Sequence, residues 1–350
     1  MTLKTMNKQT EQVYSYINSE GKILVVSHFS PDGDAIGSLL AFGGILEQFG
    51  KEHDLAIDDH CPEKYNFMPG FDKIRNLKSD PITAVYDKVV ILDAGSMTRI
   101  GSAKLGIDEH TTIMNIDHHF TGDLYGKLNI VDPDACATAV ILYDLCLNLE
   151  IEISPQIAYG IYVGILTDTG RFRYSNTTSK ALCICSEMIA KGVAPGMVVD
   201  KLYFNISTKV VSSIAWGLSK MEIHCNGLVS IIHLDQKHYV PDVESLVDFG
   251  LSVKGVVLSA FISEMDKNQF KVSLRSRCDV DVSAVAKLFG GGGHQKASGF
   301  RISGIYADAK PKIIDELQFA INQINNVQSD LERVENVKNY AYQVDKDINH

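Results

Sequence analysis

The chain has 350 residues, of which 45% are hydrophobic and 22% charged, and a formal net charge of −10. That is enough apolar matter for a substantial core, and for two domains, with too little charge for a disordered chain. No basic stripe interrupts the acidity, which excludes a grip along a long nucleic acid and leaves only short ones as partners; the acidity itself serves solubility.

The first half alternates strands and helices. Residues Glu11 to Ile17 read as a helix stopped by Gly21. Lys22 to Ser27 (KILVVS) is a short apolar run of the kind that forms a buried parallel strand. A turn and a helix from about Ala35 to Phe49 follow, closed by Gly50. Leu55 to Ile57, Lys88 to Leu92 (KVVIL) and Thr112 to Ile116 are further strands, and Thr138 to Leu149 and Pro155 to Leu166 further helices. Such alternation predicts an α/β fold with an open, mostly parallel sheet and helices on both faces.

The middle is helical, with amphipathic segments at Thr178 to Lys191 and Met197 to Phe204 and a connector at Thr208 to Lys220. Beyond it the pattern changes. Met221 to His224 and Leu228 to His233 flank Asn226-Gly227 as a hairpin. Val256 to Glu264 and Phe270 to Ser276 read as a second strand pair, Val282 to Phe289 as a short helix, and Asp308 to Ile324 as a longer one. This is a smaller mixed α/β domain. Val327 to His350 is polar and reads as an appended helix or tail.

The seven cysteines are odd in number and form no C-x-x-C pair, as expected of reduced core thiols. Met1 to Thr10 has no signal-peptide core, and the longest apolar stretch, Ala158 to Leu166, is short of the ~20 residues that a bilayer requires. A cytoplasmic protein without a membrane partner is expected.

Acidic residues fall where strands end. The first strand runs into His28-Phe29-Ser30-Pro31-Asp32-Gly33-Asp34, the third into Asp93-Ala94-Gly95-Ser96, and the fourth into Asp117-His118-His119. Thr167-Asp168-Thr169-Gly170-Arg171 follows the helix ending near Leu166. Ligands of an open parallel sheet bind outside the carboxyl ends of its strands, so three of these clusters should share a crevice that the fourth could join. Carboxylates crowded there must take up protons or a cation. Asp and His together suit divalent metals such as Mn²⁺, and less well Mg²⁺ or Zn²⁺. The supply suffices for two ions about 3.5–4 Å apart, a clamp suited to phosphoryl transfer. Each residue alone has a plainer reading: Asp34 as a helix cap, Asp32-Gly33 as a turn, Asp93 as the start of a loop, His118 or His119 as a hydrogen-bonded core histidine. Asp168, at a helix C-terminus where the dipole disfavours an anion, fits its plain role least.

The second domain carries Gly290-Gly291-Gly292-Gly293-His294, whose backbone N–H groups could approach a phosphate or a base. Arg275, near a strand end, could fork onto a phosphate. A flexible turn and a solvated basic edge are the plain alternatives.

These motifs resemble the DHH phosphoesterase superfamily, in the branch with a DHH-associated C-terminal domain. The likeness rests on Ser27 to Ser38 (SHFSPDGDAIGS), Asp93 to Ser96, Asp117 to His119, Thr167 to Phe172 and Gly290 to His294, in that order over roughly residues 20 to 305. The size is similar to that of the stand-alone nano-RNase and pAp-phosphatase group, called NrnA-like. Ala297-Ser298-Gly299 stands where the family often has Ala-Ala-Gly.

The resemblance implies a DHH metal-binding catalytic domain over 1–205, a helical connector over 206–220, a DHH-associated substrate-binding domain over 221–326 and the tail at 327–350, with the active site in the cleft between the domains. It implies that His28, Asp32 and Asp93 hold one ion, and that Asp34, Asp93, His118 and Asp168 hold the other, with Asp93 as the bridge. Asp117 would orient the adjacent histidines and His119 would face the scissile phosphate. Arg275 and His294, with Gly291, Gly292 and Gly293, would bind the distal phosphate or base. Two Mn²⁺ ions are the family expectation, with Mg²⁺ or Co²⁺ as substitutes.

The activity implied is direct hydrolysis of short single-stranded RNA or DNA, from di- to pentanucleotides, and of 3'-phosphoadenosine 5'-phosphate (pAp). A hydrolase of linear or cyclic dinucleotides, an inorganic pyrophosphatase and a non-catalytic nucleotide-binding regulator are the rivals, and the oligomeric state, a homodimer included, stays open.

Overall fold

In the computed structural model the described residues are 8–119, 124–241 and 243–323. They fall into two compact units that part between Asn205 and Ile206. The polar segment 327–350 lies outside the described residues.

The first unit is built on six parallel strands: β1 (Ile23–Val26), β2 (His53–Ile57), β3 (Ile74–Asn76), β4 (Lys88–Leu92), β5 (Thr112–Asp117) and β6 (Leu128–Val131), in the order β3-β2-β1-β4-β5-β6. β1 and β4 read as unbroken apolar runs because both their faces are covered. One face, with Val25, Val90, Leu92, Met114 and Ile116, shares one core with the α-helices α1 (Lys8–Asn18), α2 (Gly33–Gln48), α3 (Thr138–Asn148), α4 (Pro155–Asp168), α5 (Ser179–Ala190) and α6 (Pro195–Tyr203). The other face, with Leu24, Val26, Val89 and Ile91, is covered differently. Leu77, Ile82, Tyr86 and a 3₁₀ segment, Met97–Gly106, close it, so the expected helices on that face are short 3₁₀ turns.

Strand order reverses between β1 and β4, which defines the switch point where an open α/β sheet takes its ligands. The register pairs Val26 with Ile91 and Leu92 with Ile116. One step further along, Asp93 lies alongside Asp117, and Ser27 Oγ donates to Leu92 O at 2.7 Å to hold β1 and β4 together at this end. α2 and α4 cross beneath the switch point at unusually short range. A Cβ on Gly37 would stand 2.3 Å from Gly160 O, and one on Gly160 2.4 Å from Gly37 O.

The second unit is a sheet of β7 (Glu222–His224), β8 (Val229–Leu234), β9 (Leu258–Asp266), β10 (Gln269–Ser276), β11 (Gly292–His294) and β12 (Ala297–Ser303), ordered β11-β12-β10-β9-β8-β7. All neighbours are antiparallel except β8 and β9, which the crossover helix α8 (Leu246–Ser252) joins in parallel. Period-2 alternation sends Leu258, Ala260 and Ile262 to one face, where α9 (Val282–Leu288) and a helix over 306–323 cover them. Phe261 goes to the other face with Val210 and Leu246. α7 (Thr208–Ser219), expected as a connector, packs there against Ile232 and Leu234 of β8.

Two local expectations change. The β7–β8 hairpin pairs His224 with Val229, so its loop is the four residues Cys225 to Leu228 and not a two-residue Asn-Gly turn. Cys225 and Asn226 both take φ of 54° there. The glycine run is an edge hairpin instead of a flexible turn. Gly290 ends α9 at φ 76°, and Gly292 to His294 pair with Ala297 to Gly299. A Cβ at Gly291 would meet Gly299 O at 2.2 Å, and one at Gly293 would meet Ala297 O at 2.7 Å, so close backbone approach to β12 demands glycine at both.

Candidate metal centre

The loop after β1 turns directly into α2. Asp32 is the N-cap, its Oδ1 accepting from Asp34 N at 3.1 Å and Ala35 N at 3.0 Å, so the helix begins at Gly33 and the cap is Asp32 instead of Asp34. Asp34 instead points into the core. It is fully buried, and its carboxylate accepts from Thr138 N at 2.6 Å, Ala139 N at 3.0 Å and Ser38 Oγ at 3.1 Å. It thus caps α3, whose own N-cap, Ala137, has no side chain to do so. A carboxylate at a helix N-terminus is well placed, whereas Asp168, the last residue of α4, sits at the unfavourable end.

Asp93 follows β4 with φ of 54°, a left-handed backbone that costs a non-glycine residue of order 1 kcal/mol or more. Its N–H donates to Ile116 O at 3.0 Å and Thr138 Oγ1 donates to its Oδ1 at 3.1 Å, which fix the carboxylate. Around it, His28 Nε2 is 3.8 Å from Oδ2, His118 Nε2 3.4 Å from Oδ1 and His119 Nδ1 3.5 Å from Oδ1. His118 Nε2 also lies 3.2 Å from Asp168 Oδ2 and 4.0 Å from Asp34 Oδ2, and His28 Nε2 3.8 Å from Asp32 Oδ1. Ligand atoms of His28, Asp32 and Asp93 lie within 4.8 Å of one another, as do those of Asp34, Asp93 and His118, and of Asp93, Asp117 and His119. Asp93 belongs to each of these triads.

Hydrogen bonds fix all three imidazoles. His28 Nδ1 lies 2.8 Å from Phe29 O and His118 Nδ1 3.2 Å from Ala135 O. A carbonyl oxygen can only accept, so Nδ1 carries a proton in both and Nε2 is the nitrogen turned toward the carboxylates. Asp117 orients the other histidine: its Oδ1 is 2.7 Å from His119 Nδ1 and accepts His119 N–H at 2.9 Å, while Oδ2 accepts Gly95 N–H at 2.6 Å. Orientation of the two histidines is therefore divided between Asp117 and the Ala135 carbonyl.

The electrostatics point the same way. Burial, with Asp93 and Asp168 nearby, holds the Asp34 carboxyl well above its ordinary range. Burial raises Asp168 to about 6, against the opposing pull of His118. Burial would lower His118, but Asp168 and Asp93 outweigh it and raise it well above its ordinary value. Burial also opposes the protonation of His28, but Asp32 outweighs it and raises it. Asp117 is lowered despite its burial, through its bonds to His119 and Gly95. Protons thus accumulate where carboxylates crowd, and a divalent cation can take their place. The donor set fits two such ions: oriented imidazole nitrogens, several carboxylates and a buried Asp common to both groups.

In the second unit, Arg275 lies on β10. Its Nη1 donates to Leu274 O at 3.0 Å, and its Nε is 3.9 Å from Asp248 Oδ1 of α8. His294, half-buried, ends β11. Thr138 is the member of the first unit's site not anticipated from the sequence. It opens an apolar helix, its N–H bonding Asp34 and its hydroxyl Asp93.

Comparison with known proteins agrees with this architecture. The family model described as the DHH family, N-terminal domain, matches residues 22–165, and the DHHA1 domain model matches residues 227–323. The chain is 34% identical over 298 residues to the bifunctional oligoribonuclease and PAP phosphatase NrnA of Thermus thermophilus, covering 83% of this chain and 86% of that one. It is 27% identical over 305 residues to the protein of the same name from Bacillus subtilis, covering 85% and 93%. Among solved structures, an exopolyphosphatase-related protein from Bacteroides fragilis superposes with a TM-score of 0.81 at 26% identity, covering 91% of this chain and 97% of that one. The chain belongs to the DHH family of phosphoesterases, with a DHHA1 domain following the DHH domain.

Proposed function

We propose that the chain hydrolyses short oligonucleotides, of about two to five residues, and pAp to mononucleotides, using two divalent cations with Mn²⁺ preferred. The observation that carries this reading is the shared position of Asp93, one buried carboxylate common to the His28–Asp32 and Asp34–His118 groups at the switch point. The names of the Thermus thermophilus and Bacillus subtilis relatives support the substrate class.

His28, Asp32 and Asp93 would hold one ion, and Asp34, Asp93, His118 and Asp168 the other. Bound there, the ions would supply positive charge to the phosphoryl oxygens and would acidify the attacking water. Thr138 keeps Asp93 in place, and the caps on α2 and α3 keep Asp32 and Asp34 from turning away. His119, oriented at Nδ1 by Asp117, faces the scissile phosphate and returns a proton to the leaving oxygen. Water adds to phosphorus, the P–O bond to the leaving group breaks, and no covalent intermediate with the protein forms. Arg275, His294 and the Gly291–Gly293 backbone of the second unit take the distal phosphate or base, the role assigned to a DHHA1 substrate-binding domain over 221–326. The seven cysteines are free thiols, which supports a reducing, cytoplasmic setting. Among the described residues no single helix is long and apolar enough to cross a membrane.

The test is a turnover panel with metal: a dinucleotide, a strand of about twenty nucleotides, pAp, a cyclic dinucleotide and pyrophosphate. Fast release of mononucleotides from the dinucleotide and of phosphate from pAp is expected, with the long strand far slower because the chain has no basic track. Preference for the cyclic dinucleotide or pyrophosphate, or equal cleavage of the long strand, would replace this assignment.

A further inference from the structure

Two residues beside the candidate metal centre contribute no ligand side chain to it. Arg99 lies in the 3₁₀ segment after Asp93 and is half-buried, and its backbone carbonyl accepts the N–H of Phe29 at 2.9 Å. Phe29 is the immediate neighbour of His28, and its side chain is 42% exposed. Other arginines of the first unit are engaged: Arg75 with Asp80 and Asp54, Arg171 over the ring of Tyr203, Arg173 over that of Tyr174. The Arg99 guanidinium makes no ion pair, hydrogen bond or ring contact among the described residues, although its charge is felt by His28 and Tyr125.

The loop that carries Phe29 is pinned at two points. The Arg99 carbonyl holds Phe29, and Asp59 Oδ2 accepts from Ser30 N at 2.8 Å and Ser30 Oγ at 3.2 Å, with Ser30 at φ 54°. An exposed ring on a fixed loop presents a ready face for stacking, since its order is set before any ligand arrives.

The charge count asks for a further cation. On the reading above, Asp32, Asp34, Asp93 and Asp168 supply four negative charges, which two divalent ions cancel. A phosphate group of the substrate then needs its own counter-charge, and a guanidinium offers a planar fork that matches it. We propose that Arg99 and Phe29 form a nucleotide-recognition edge of the first unit, Arg99 taking a phosphate of the substrate and Phe29 stacking on a base. This rests on the phosphoesterase reading but adds a binding subsite distinct from the metal ligands and from the second unit.

The metal-loaded protein and its Arg99→Ala, Arg99→Lys, Phe29→Ala and Phe29→Trp variants test it, with pAp and a dinucleotide as substrates and inorganic phosphate as a competitive inhibitor. Arg99→Ala should raise KM for both nucleotides by about 10- to 100-fold, the scale of a lost charged hydrogen bond, and weaken phosphate inhibition, with wild-type metal content and Tm. Arg99→Lys should recover part of both. Phe29→Ala should raise KM for nucleotides by about tenfold, as expected for one lost stack, without changing phosphate inhibition, and Phe29→Trp should restore it. Unchanged phosphate inhibition in Arg99→Ala, or a loss of bound metal that Arg99→Lys does not repair, would overturn the Arg99 assignment. Equal losses for nucleotides and phosphate in Phe29→Ala would overturn the stacking. If the wild type turned over neither nucleotide, the substrate reading would fall, while calorimetric titration with phosphate would still decide whether Arg99 binds an anion.

Discussion

Asp93 bears three demands on one carboxylate. It faces His28, His118 and His119, accepts the Thr138 hydroxyl, and does so from a left-handed backbone that favours glycine. Glycine would relieve that backbone but remove the only group common to the triads. Asp93→Ala should therefore release both ions and lower turnover by about 10³-fold or more, on the scale of several kcal/mol of lost metal assistance; metal analysis and kinetics on one preparation check this. Wild-type metal content would assign the bridge elsewhere. The same crowding gives a sign to the effect of pH. Asp34 and Asp168 are raised acids and His118 a raised base. Each favours the fold when protonated, so each contribution is present at low pH and is lost as pH rises through the folded value, about 6 for Asp168. Chelator-treated protein should thus lose Tm as pH rises from the ordinary carboxyl value of 3.8 through about 6, and further past the ordinary imidazole value of 6.5. The increment in Tm on adding Mn²⁺ should grow over that same range, because the ion competes with those protons. A pH-independent increment would contradict a site built from these groups.

The α2–α4 crossing is where element packing meets the site. Gly37 and Gly160 let the two backbones touch, and Asp34 lies one turn from Gly37 while Asp168 ends α4. Gly37→Ala should cost about 1–3 kcal/mol in urea denaturation, the range for overpacking, and should weaken the ion shared by Asp34 and Asp168 more than the one at His28. Equal weakening of both ions would mean that the crossing does not set their spacing. Elements with strong local signals were legible from the sequence. β4 spans the KVVIL run, and α3 and α4 begin at the expected residues, because burial on both faces leaves unbroken apolar stretches. β3 and β6 were not anticipated. They are edge strands of three and four residues, mostly half-buried, so neither alternation nor an apolar run marks them. The strand-end residues His28, Asp32, Asp93 and Asp117 to His119 could be placed because parallel topology sends strand ends to one edge. Thr138 could not, since its partners lie 45 and 104 positions away. The glycine run reads as a flexible turn because sequence does not reveal that β12 lies against it.

Across the whole molecule, the chemistry is proposed to sit on the first unit and the distal part of recognition on the second. Arg275→Ala and His294→Ala should keep wild-type metal content and lose kcat/KM on dinucleotides by about 10²-fold, the scale of a lost charged hydrogen bond, while a minimal aryl phosphate ester is much less affected. Parallel, slight losses on both substrates would leave the second unit without that role. The ligand set itself has a kinetic consequence. Its proposed members run from residue 28 to residue 168, so apart from neighbours in sequence they meet only after the sheet is assembled and α4 has docked. Contacts at such separations form late. An ion that depends on them has little to hold in the transition state, and its binding energy falls on the unfolding barrier. In stopped-flow experiments Mn²⁺ should barely change the refolding rate while slowing unfolding in proportion to its occupancy. The metals would then govern how long a finished molecule lasts, and the apolar strands how quickly it is made.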